Sequence, residues 1–127
     1  MAETIFTKII NRELPAIIHY ENDEFIVFND IQPMAPIHVL VVPKKAYQTL
    51  EEVDLEDTEF HAKLLQTARR VASQLGIADN YKMFINVGLR LQAVPHLHLH
   101  LLGGWQAELA QENLAKLEEN FANRKEA

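Results

Sequence analysis

The stretch His96-Leu97-His98-Leu99-His100-Leu101-Leu102, followed by Gly103-Gly104, decides how the chain is interpreted. Histidine and leucine alternate with a period of two, the period at which side chains alternate between the faces of a β-strand. On a strand the three leucines face a core and the three histidines form a row on the other face. A helix would scatter both sets around its circumference. The pattern therefore predicts a strand that carries a row of imidazoles.

Three roles are open for such a row: phosphate chemistry, metal binding and a structural patch. Neighbours in the row lie ~6.6 Å apart on an extended strand, because each residue advances ~3.3 Å. Zinc holds its nitrogen ligands at ~2.0–2.1 Å, so two adjacent rings would converge on one ion more readily than all three. An elongated group such as a phosphate chain fits the spacing better. Phosphate chemistry is favoured, and the other two roles stay open.

The composition predicts one globular domain over residues 1–127, with 48% hydrophobic and 24% charged residues. The net charge of −6 argues against broad binding of nucleic acid or of anionic membranes. The absence of cysteine excludes disulfides and a thiol nucleophile. Because the first residues lack a signal-like apolar run and no segment is long enough to span a bilayer, we expect a cytoplasmic protein.

Apolar periodicity predicts three helices and four further strands. The helices are expected over 4–11, 54–74 and 106–123, and the strands over 17–21, 24–29, 37–43 and 81–87. In the long helix Asp54 is the expected cap and Gly76 the expected end. His61 falls within the apolar stripe of that helix, which predicts packing or a subunit interface rather than chemistry. The stripe consists of Leu64, Leu65, Ala68, Val71, Ala72 and Leu75, and a narrower stripe on the last helix consists of Ala107, Ala110, Leu114, Leu117 and Phe121.

Two ionisable residues lie at or within apolar strands. Asp30 closes an apolar row at a strand end, shortly before Pro33, so it is either a turn residue or a functional carboxylate. His38 is the one ionisable member of the strand 37–43. A lone histidine in such a strand is usually a satisfied core residue, but it gains a functional role if this strand lies beside the histidine strand.

Taken in order, these motifs resemble the histidine-triad (HIT) family of nucleotide-binding hydrolases and transferases, and most closely its phosphoramidase-like branch. The family signature is His-x-His-x-His followed by two apolar residues, which the stretch 96–102 fits. The segment Asp30-Ile31-x-Pro33-x-Ala35-Pro36-x-His38 also matches. The likeness covers about residues 4–104, so residues 105–127 are expected to form a C-terminal helical extension.

The resemblance implies an α+β fold: an antiparallel sheet with one long and one short helix per subunit, here with an added C-terminal helix. Two subunits are expected to pair through the long helix and an edge strand. The implied substrate is a purine nucleotide, with no cofactor and no metal. The implied reaction is hydrolysis of the P–N bond of purine nucleoside 5′-phosphoramidates, which releases AMP or GMP through a nucleotidyl-histidine.

The resemblance also assigns roles to residues. His98 becomes the nucleophile, with His38, His96 and His100 as supporting catalytic histidines. Asp30 is expected to hold the ribose hydroxyls. The other implied nucleotide-binding residues are Phe6, Ile9, Phe28 and Ile31 around the base, Asn86 near the phosphate, and Gln92, Ala93 and Val94 in the loop that follows.

The chain departs from the family in the loop Gly88–Pro95. Relatives carry a pair of glycines and then Gln-Ser or Gln-Thr, whereas this loop lacks the glycine pair, is one residue shorter and has Ala93 in place of the hydroxyl residue. Two alternatives therefore stay open: a dinucleoside polyphosphate hydrolase, or a nucleotide-binding or interaction protein with little catalysis. Trp105 is expected either near the substrate or packed under the last helix.

Overall fold

The computed structural model describes residues 3–105 and 107–126, with backbone alone for 107–113 and 124–126. Five strands form one sheet in the order β1-β2-β3-β5-β4, and every neighbouring pair is antiparallel, which confirms the predicted α+β fold. The elements are α1 Ile5–Ile10, β1 Ile18–Glu21, β2 Phe25–Asn29, β3 Ile37–Pro43, a short 3-10 turn Leu50–Glu52, α2 Thr58–Gln74, β4 Tyr81–Ile85, β5 Leu99–Gly103 and α3 Ala107–Glu126.

The two faces of the sheet bury two separate apolar clusters. Alternate residues of the central strands point to opposite faces, so Val39 and Val41 pack under α2 while Leu40 and Val42 pack under α1. The α1 side also receives Phe6 and Ile9 from the helix itself. This division leaves the α1 side open beyond the short helix, and the histidines of the signature lie on that side.

The alternating stretch is a paired strand only in its second half. The predicted strand start at His96 was wrong, because the ladder of β5 begins with the pair of Leu99 and Val41. Strand β4 ends at Ile85, opposite Leu99, and β3 ends at Pro43, so His96 lies beyond both neighbouring strands, while Leu97 and His98 form no ladder pair. The segment stays attached through the Leu97 N–H, which donates to the carbonyl oxygen of Tyr47 at 2.8 Å. All three histidines and all three leucines of the alternation are buried.

The N-cap of the long helix lies three residues later than predicted. Asp57, not Asp54, is its N-cap, and the Asp57 carboxylate accepts from the Phe60 N–H at 2.9 Å. Asp54 instead closes the preceding turn by accepting from the Glu56 N–H. Both aspartates have capping chemistry, and only the path of the chain between them decides which one is used. The end of the helix at Gly76 is as predicted, with Gly76 at φ +74.

The apolar stripe of α2 is narrower than predicted, because the Leu65 side chain is 46% exposed. His61 is half-buried, and its ring lies edge-on to Phe60. Its Nδ1 donates to the Asp57 carbonyl oxygen at 2.7 Å, so the ring has the packing role predicted for it. Strand β4 ends at Ile85, two residues before the predicted Val87.

Helix α3 is present and extends three residues beyond its predicted end. The last three members of its predicted stripe are more than half exposed, so the described part of the chain does not cover them; they are Leu114, Leu117 and Phe121. The stripe residues Ala107 and Ala110 lie outside the described side chains. Across the described ranges, no helix is long and apolar enough to cross a membrane.

Candidate active site

A cavity of about 750 Å³ opens on the α1 side of the sheet. That volume is within the range of small-molecule sites, ~300–1,000 Å³. Helix α1, the end of β2 and the loop after β4 form its walls. It is lined by ten residues that the sequence analysis singled out: Phe6, Ile9, Phe28, Asp30, Ile31, Asn86, Ala93, Val94, His98 and His100.

Three other singled-out residues lie behind the cavity lining, among the residues that the structure describes. His38 and His96 are buried and contact the lining histidines. Gln92 holds the loop together: its amide donates to the carbonyl oxygens of Gln48 and Val94, and its Oε1 accepts from the Gly88 N–H. The Gln92 side chain therefore shapes the loop that carries Ala93, while its polar atoms are engaged by backbone.

Backbone carbonyls fix the proton positions of His96 and His98. His96 Nε2 lies 2.7 Å from the carbonyl oxygen of Pro43, the last residue of β3, and His98 Nδ1 lies 2.7 Å from the carbonyl oxygen of His96. Because a carbonyl oxygen only accepts, each of these nitrogens carries the ring hydrogen. The neutral His98 ring then has its lone pair on Nε2, and that nitrogen is available to a ligand in the cavity.

A second chain of hydrogen bonds orients His38 and His100. The backbone N–H of Met34 donates to His38 Nδ1 at 3.1 Å, so the neutral His38 ring carries its hydrogen on Nε2. That Nε2–H donates to His100 Nδ1 at 3.0 Å. The hydrogen of His100 is therefore on Nε2, and His100 offers a donor to the cavity that it lines. The site thus places one lone pair and one N–H on neighbouring imidazoles, whose ring centroids are 4.9 Å apart.

Burial lowers the pKa of all four histidines, because a charged ring is poorly solvated inside the protein. The effect is largest at His100, where burial and then the charges of His98 and His38 lower the pKa to about 4, against a smaller raising effect of Asp30. Hydrogen bonds to carbonyl oxygens partly oppose the lowering of the pKa at His96 and His98. The rings are therefore neutral at pH 7, as the tautomers above require.

Asp30 stands at the mouth of the site, one residue beyond the end of β2. Its Oδ1 accepts from the Gln32 N–H at 2.8 Å, which is the turn role, and its Oδ2 lies 3.4 Å from His38 Nε2. Its side chain is 19% exposed, so a ligand can reach it. Both roles considered for Asp30 are therefore compatible with its position.

The ring nitrogens of His96, His98 and His100 do not converge on one position, as the ligands of a metal centre would. The nitrogens Nε2 of His96 and Nδ1 of His98 are both donors to carbonyl oxygens. In the described part of the chain, the group whose ligand atoms come within 4.8 Å of one another is instead Asp30, His38 and His100.

Several lining residues lacked a sequence signal. Met34 and Leu91 are exposed apolar residues at the cavity, 64% and 67% exposed, and both come from irregular segments. Phe84 lies outside the lining but stacks on His100, with ring centroids 4.4 Å apart and planes 11° apart. The register of β4 against β5 places these two residues opposite each other, and register cannot be obtained from the sequence of either strand alone.

Comparisons with known proteins agree with this geometry. The HIT domain model matches residues 11–107. An uncharacterised HIT-like protein of Synechocystis is 50% identical over 106 residues, 82% of this chain and 93% of the relative. The purine nucleoside phosphoramidase of Escherichia coli K12 is 41% identical over 104 residues, 80% of this chain and 87% of the enzyme. A HIT family hydrolase from Clostridium thermocellum superposes with a TM-score of 0.77 at 39% identity, covering 84% of this chain and 95% of that structure.

The fold and the site define an α+β protein whose antiparallel sheet presents buried, neutral histidines to an apolar cavity. Together with the matches to the domain model and to these relatives, this shows that the chain belongs to the HIT family.

The depressed histidine pKa values predict that acid destabilises the fold. The unfolded chain takes up protons near pH 6.5, whereas folded His100 resists protonation down to about pH 4, so the free energy of unfolding falls between pH 7 and pH 5. For His100 alone the loss is roughly 1–2 kcal/mol at pH 5. Urea unfolding at the two pH values measures it, and His100→Gln should show a smaller difference between them. Equal stability of the unsubstituted protein at both values would contradict the prediction.

Proposed function

We propose that this protein hydrolyses purine nucleoside 5′-phosphoramidates at the phosphorus–nitrogen bond. One observation carries the proposal: His98 Nδ1 donates to the His96 carbonyl oxygen, which leaves the Nε2 lone pair of a neutral, cavity-lining imidazole as a nucleophile. The E. coli relative that bears the name purine nucleoside phosphoramidase supports the substrate class.

The proposed first step is attack of His98 Nε2 on the α-phosphorus. A P–N bond to His98 forms and the bond to the amine breaks, with its electron pair leaving on the amine together with a proton from water. The Nε2–H of His100 donates to a phosphoryl oxygen and stabilises the charge that develops there. A second water then attacks phosphorus and its proton returns to the solvent, while the electron pair of the bond to His98 returns to Nε2. The net reaction consumes one water and gives the amine and AMP or GMP.

The nucleotide is proposed to lie along the cavity from the end of β2 to the histidines. The apolar lining offers a surface for the base, and Asp30 Oδ2 accepts from the ribose hydroxyls. The residues proposed around the base are Phe6, Ile9, Phe28 and Ile31, and those proposed near the phosphate are Asn86, Ala93 and Val94. Gln92 would act through the shape of its loop.

Replacing His98 tests the nucleophile. His98→Ala should lower the release of amine from adenosine 5′-phosphoramidate by a factor of at least about 10³, because His100, the other histidine of the described cavity lining, presents an N–H rather than a lone pair. AMP binding, measured by calorimetry, should survive. The matched control is His61→Ala on α2, which removes a histidine outside the cavity and should leave turnover unchanged. Turnover that persists in His98→Ala would remove the proposal.

The two alternative functions give different results in the same assays. Faster release of AMP from diadenosine polyphosphates than from the phosphoramidate would favour a dinucleoside polyphosphate hydrolase. Tight AMP binding without turnover of either substrate would favour a binding or interaction protein. A cytoplasmic location stays a prediction.

The loop offers a test of the missing hydroxyl. A hydrogen bond to a charged phosphate oxygen contributes ~1.5–3 kcal/mol, so Ala93→Ser should raise kcat by about tenfold. Ala93→Thr and Ala93→Val form the control pair, because their side chains have the same shape and differ in the hydroxyl. Equal kcat values for these two variants would show that a hydroxyl at this position contributes nothing.

We also propose that two copies pair through α2 and the edge strand β4. The outer face of α2 carries the exposed Leu65 beside a groove that reaches Tyr81 at the start of β4, and an unpaired sheet edge favours pairing with another chain. Sedimentation velocity should give a dimer, and Leu65→Asp should give a monomer. Leu55→Asp, at a position 82% exposed, is the control and should remain dimeric. A monomeric unsubstituted protein would contradict the pairing.

A further inference from the structure

His100 is packed on three sides by other strands and segments. Leu40 of β3 lies opposite it in the sheet, His38 Nε2–H donates to its Nδ1, and the His98 ring lies alongside. The fourth side faces β4, which is the last strand of the sheet. In the described part of one copy, no strand lies beyond β4, so the side chain that β4 places opposite His100 lies between that ring and the edge of the sheet.

The side chain at that position is Phe84. Its ring is parallel to the His100 imidazole within 11°, with centroids 4.4 Å apart, which is a stacked pair across neighbouring strands. Phe84 is half-buried, while His100 is 8% exposed. Phe84 is not among the residues that line the cavity. It therefore contacts the chemistry only through His100.

The stack and the hydrogen bond fix different properties of His100. The hydrogen bond between His38 Nε2 and His100 Nδ1 determines which nitrogen of His100 points toward β3. A single hydrogen bond does not fix the tilt of the ring, because the χ2 torsion of histidine has a broad energy minimum. The flat face of Phe84 fixes the plane of the ring. Together they hold the Nε2–H of His100 toward the cavity.

We propose that Phe84 is a positioning residue for the reaction: its ring fixes the plane of His100 and keeps water from that imidazole, so that His100 presents a neutral N–H to the phosphoryl group. This role rests on the function proposed above, and Phe84 would influence that reaction only through its contact with His100. A leucine or valine at position 84 would supply bulk without a flat surface.

The charged and titratable groups near His100 affect its pKa. His98 and His38 lower the pKa of His100 when they are charged, and Asp30 raises it. On β4 the Lys82 ammonium lies 5.4 Å from the Phe84 ring centroid. His98, His38 and Asp30 keep their places when Phe84 is substituted, whereas Lys82 loses its ring contact in both Phe84→Ala and Phe84→Leu. A difference in the titration of His100 between these two variants therefore reports the loss of cover rather than the movement of Lys82.

The experiment compares Phe84→Ala, Phe84→Leu and Phe84→Tyr. With the ring removed, the pKa of His100 should rise from about 4 toward its ordinary value of ~6.5 in Phe84→Ala, and Phe84→Tyr should restore the low value. NMR titration of the imidazole nitrogens measures this without any substrate. Phe84→Leu should exclude water but leave the ring plane free, so it should lower kcat for adenosine 5′-phosphoramidate by about tenfold while KM stays within about threefold.

The control is Ile85→Ala, which weakens the same strand from its opposite face, where Ile85 packs against the α2 cluster. It should leave the His100 titration and the pH profile of kcat unchanged. An unchanged His100 titration in Phe84→Ala, or an equal change in Ile85→Ala, would overturn the proposal. If the protein shows no turnover at all, the proposed function fails, and the NMR titration still decides whether Phe84 sets the state of His100.

Discussion

The geometry of the site depends on the hydrogen bond from His98 Nδ1 to the backbone carbonyl oxygen of His96, two residues earlier in the chain. This hydrogen bond assigns the ring hydrogen to one nitrogen and leaves the other nitrogen with a lone pair. The same carbonyl group belongs to a residue whose side chain is anchored to the end of β3 through the Pro43 carbonyl oxygen. Two short hydrogen bonds, from His98 to His96 and from His96 to Pro43, therefore fix the orientation of His98 relative to the sheet. Both acceptors are carbonyl oxygens, which cannot act as donors.

Burial keeps the four imidazole rings of this site neutral by lowering their pKa values. Four imidazoles lie within a small volume, and charge on each of them is disfavoured by poor solvation. At His96 and His100 the neighbouring rings disfavour charge as well. Neutral imidazoles with assigned tautomers form a fixed pattern of donors and lone pairs, and the proposed reaction would use one lone pair at His98 and one donor at His100. Phe6 completes the cluster, with its ring edge-on to His98 at a centroid distance of 5.0 Å.

Much of the fold and of the site lining could be predicted from the sequence. The period-two alternation around His98 specified which histidines and leucines share a face, because the pleat of a strand imposes that period. The start of β5 and the cap of α2 were misplaced for different reasons: the first depends on where the neighbouring strands end, and the second on the path of the chain between two aspartates. The alternation continues to His96, but β3 ends at Pro43 and β4 at Ile85, before either reaches it. Asp54 has the chemistry of a cap, but its carboxylate is used in the preceding turn, where it accepts from the Glu56 N–H.

The sequence by itself determined that the three histidines share one face of a strand, because face alternation is a property of a short segment. Through the resemblance of its motifs to the HIT family it also indicated ten of the residues that line the cavity, but not Met34 or Leu91. Tertiary structure alone decided the tautomers of the four rings, the contact between His38 and His100 across 62 residues, and the stack of Phe84 on His100. These features depend on strand register and on which backbone carbonyl a ring meets. A short segment carries no information about either until the strands are paired.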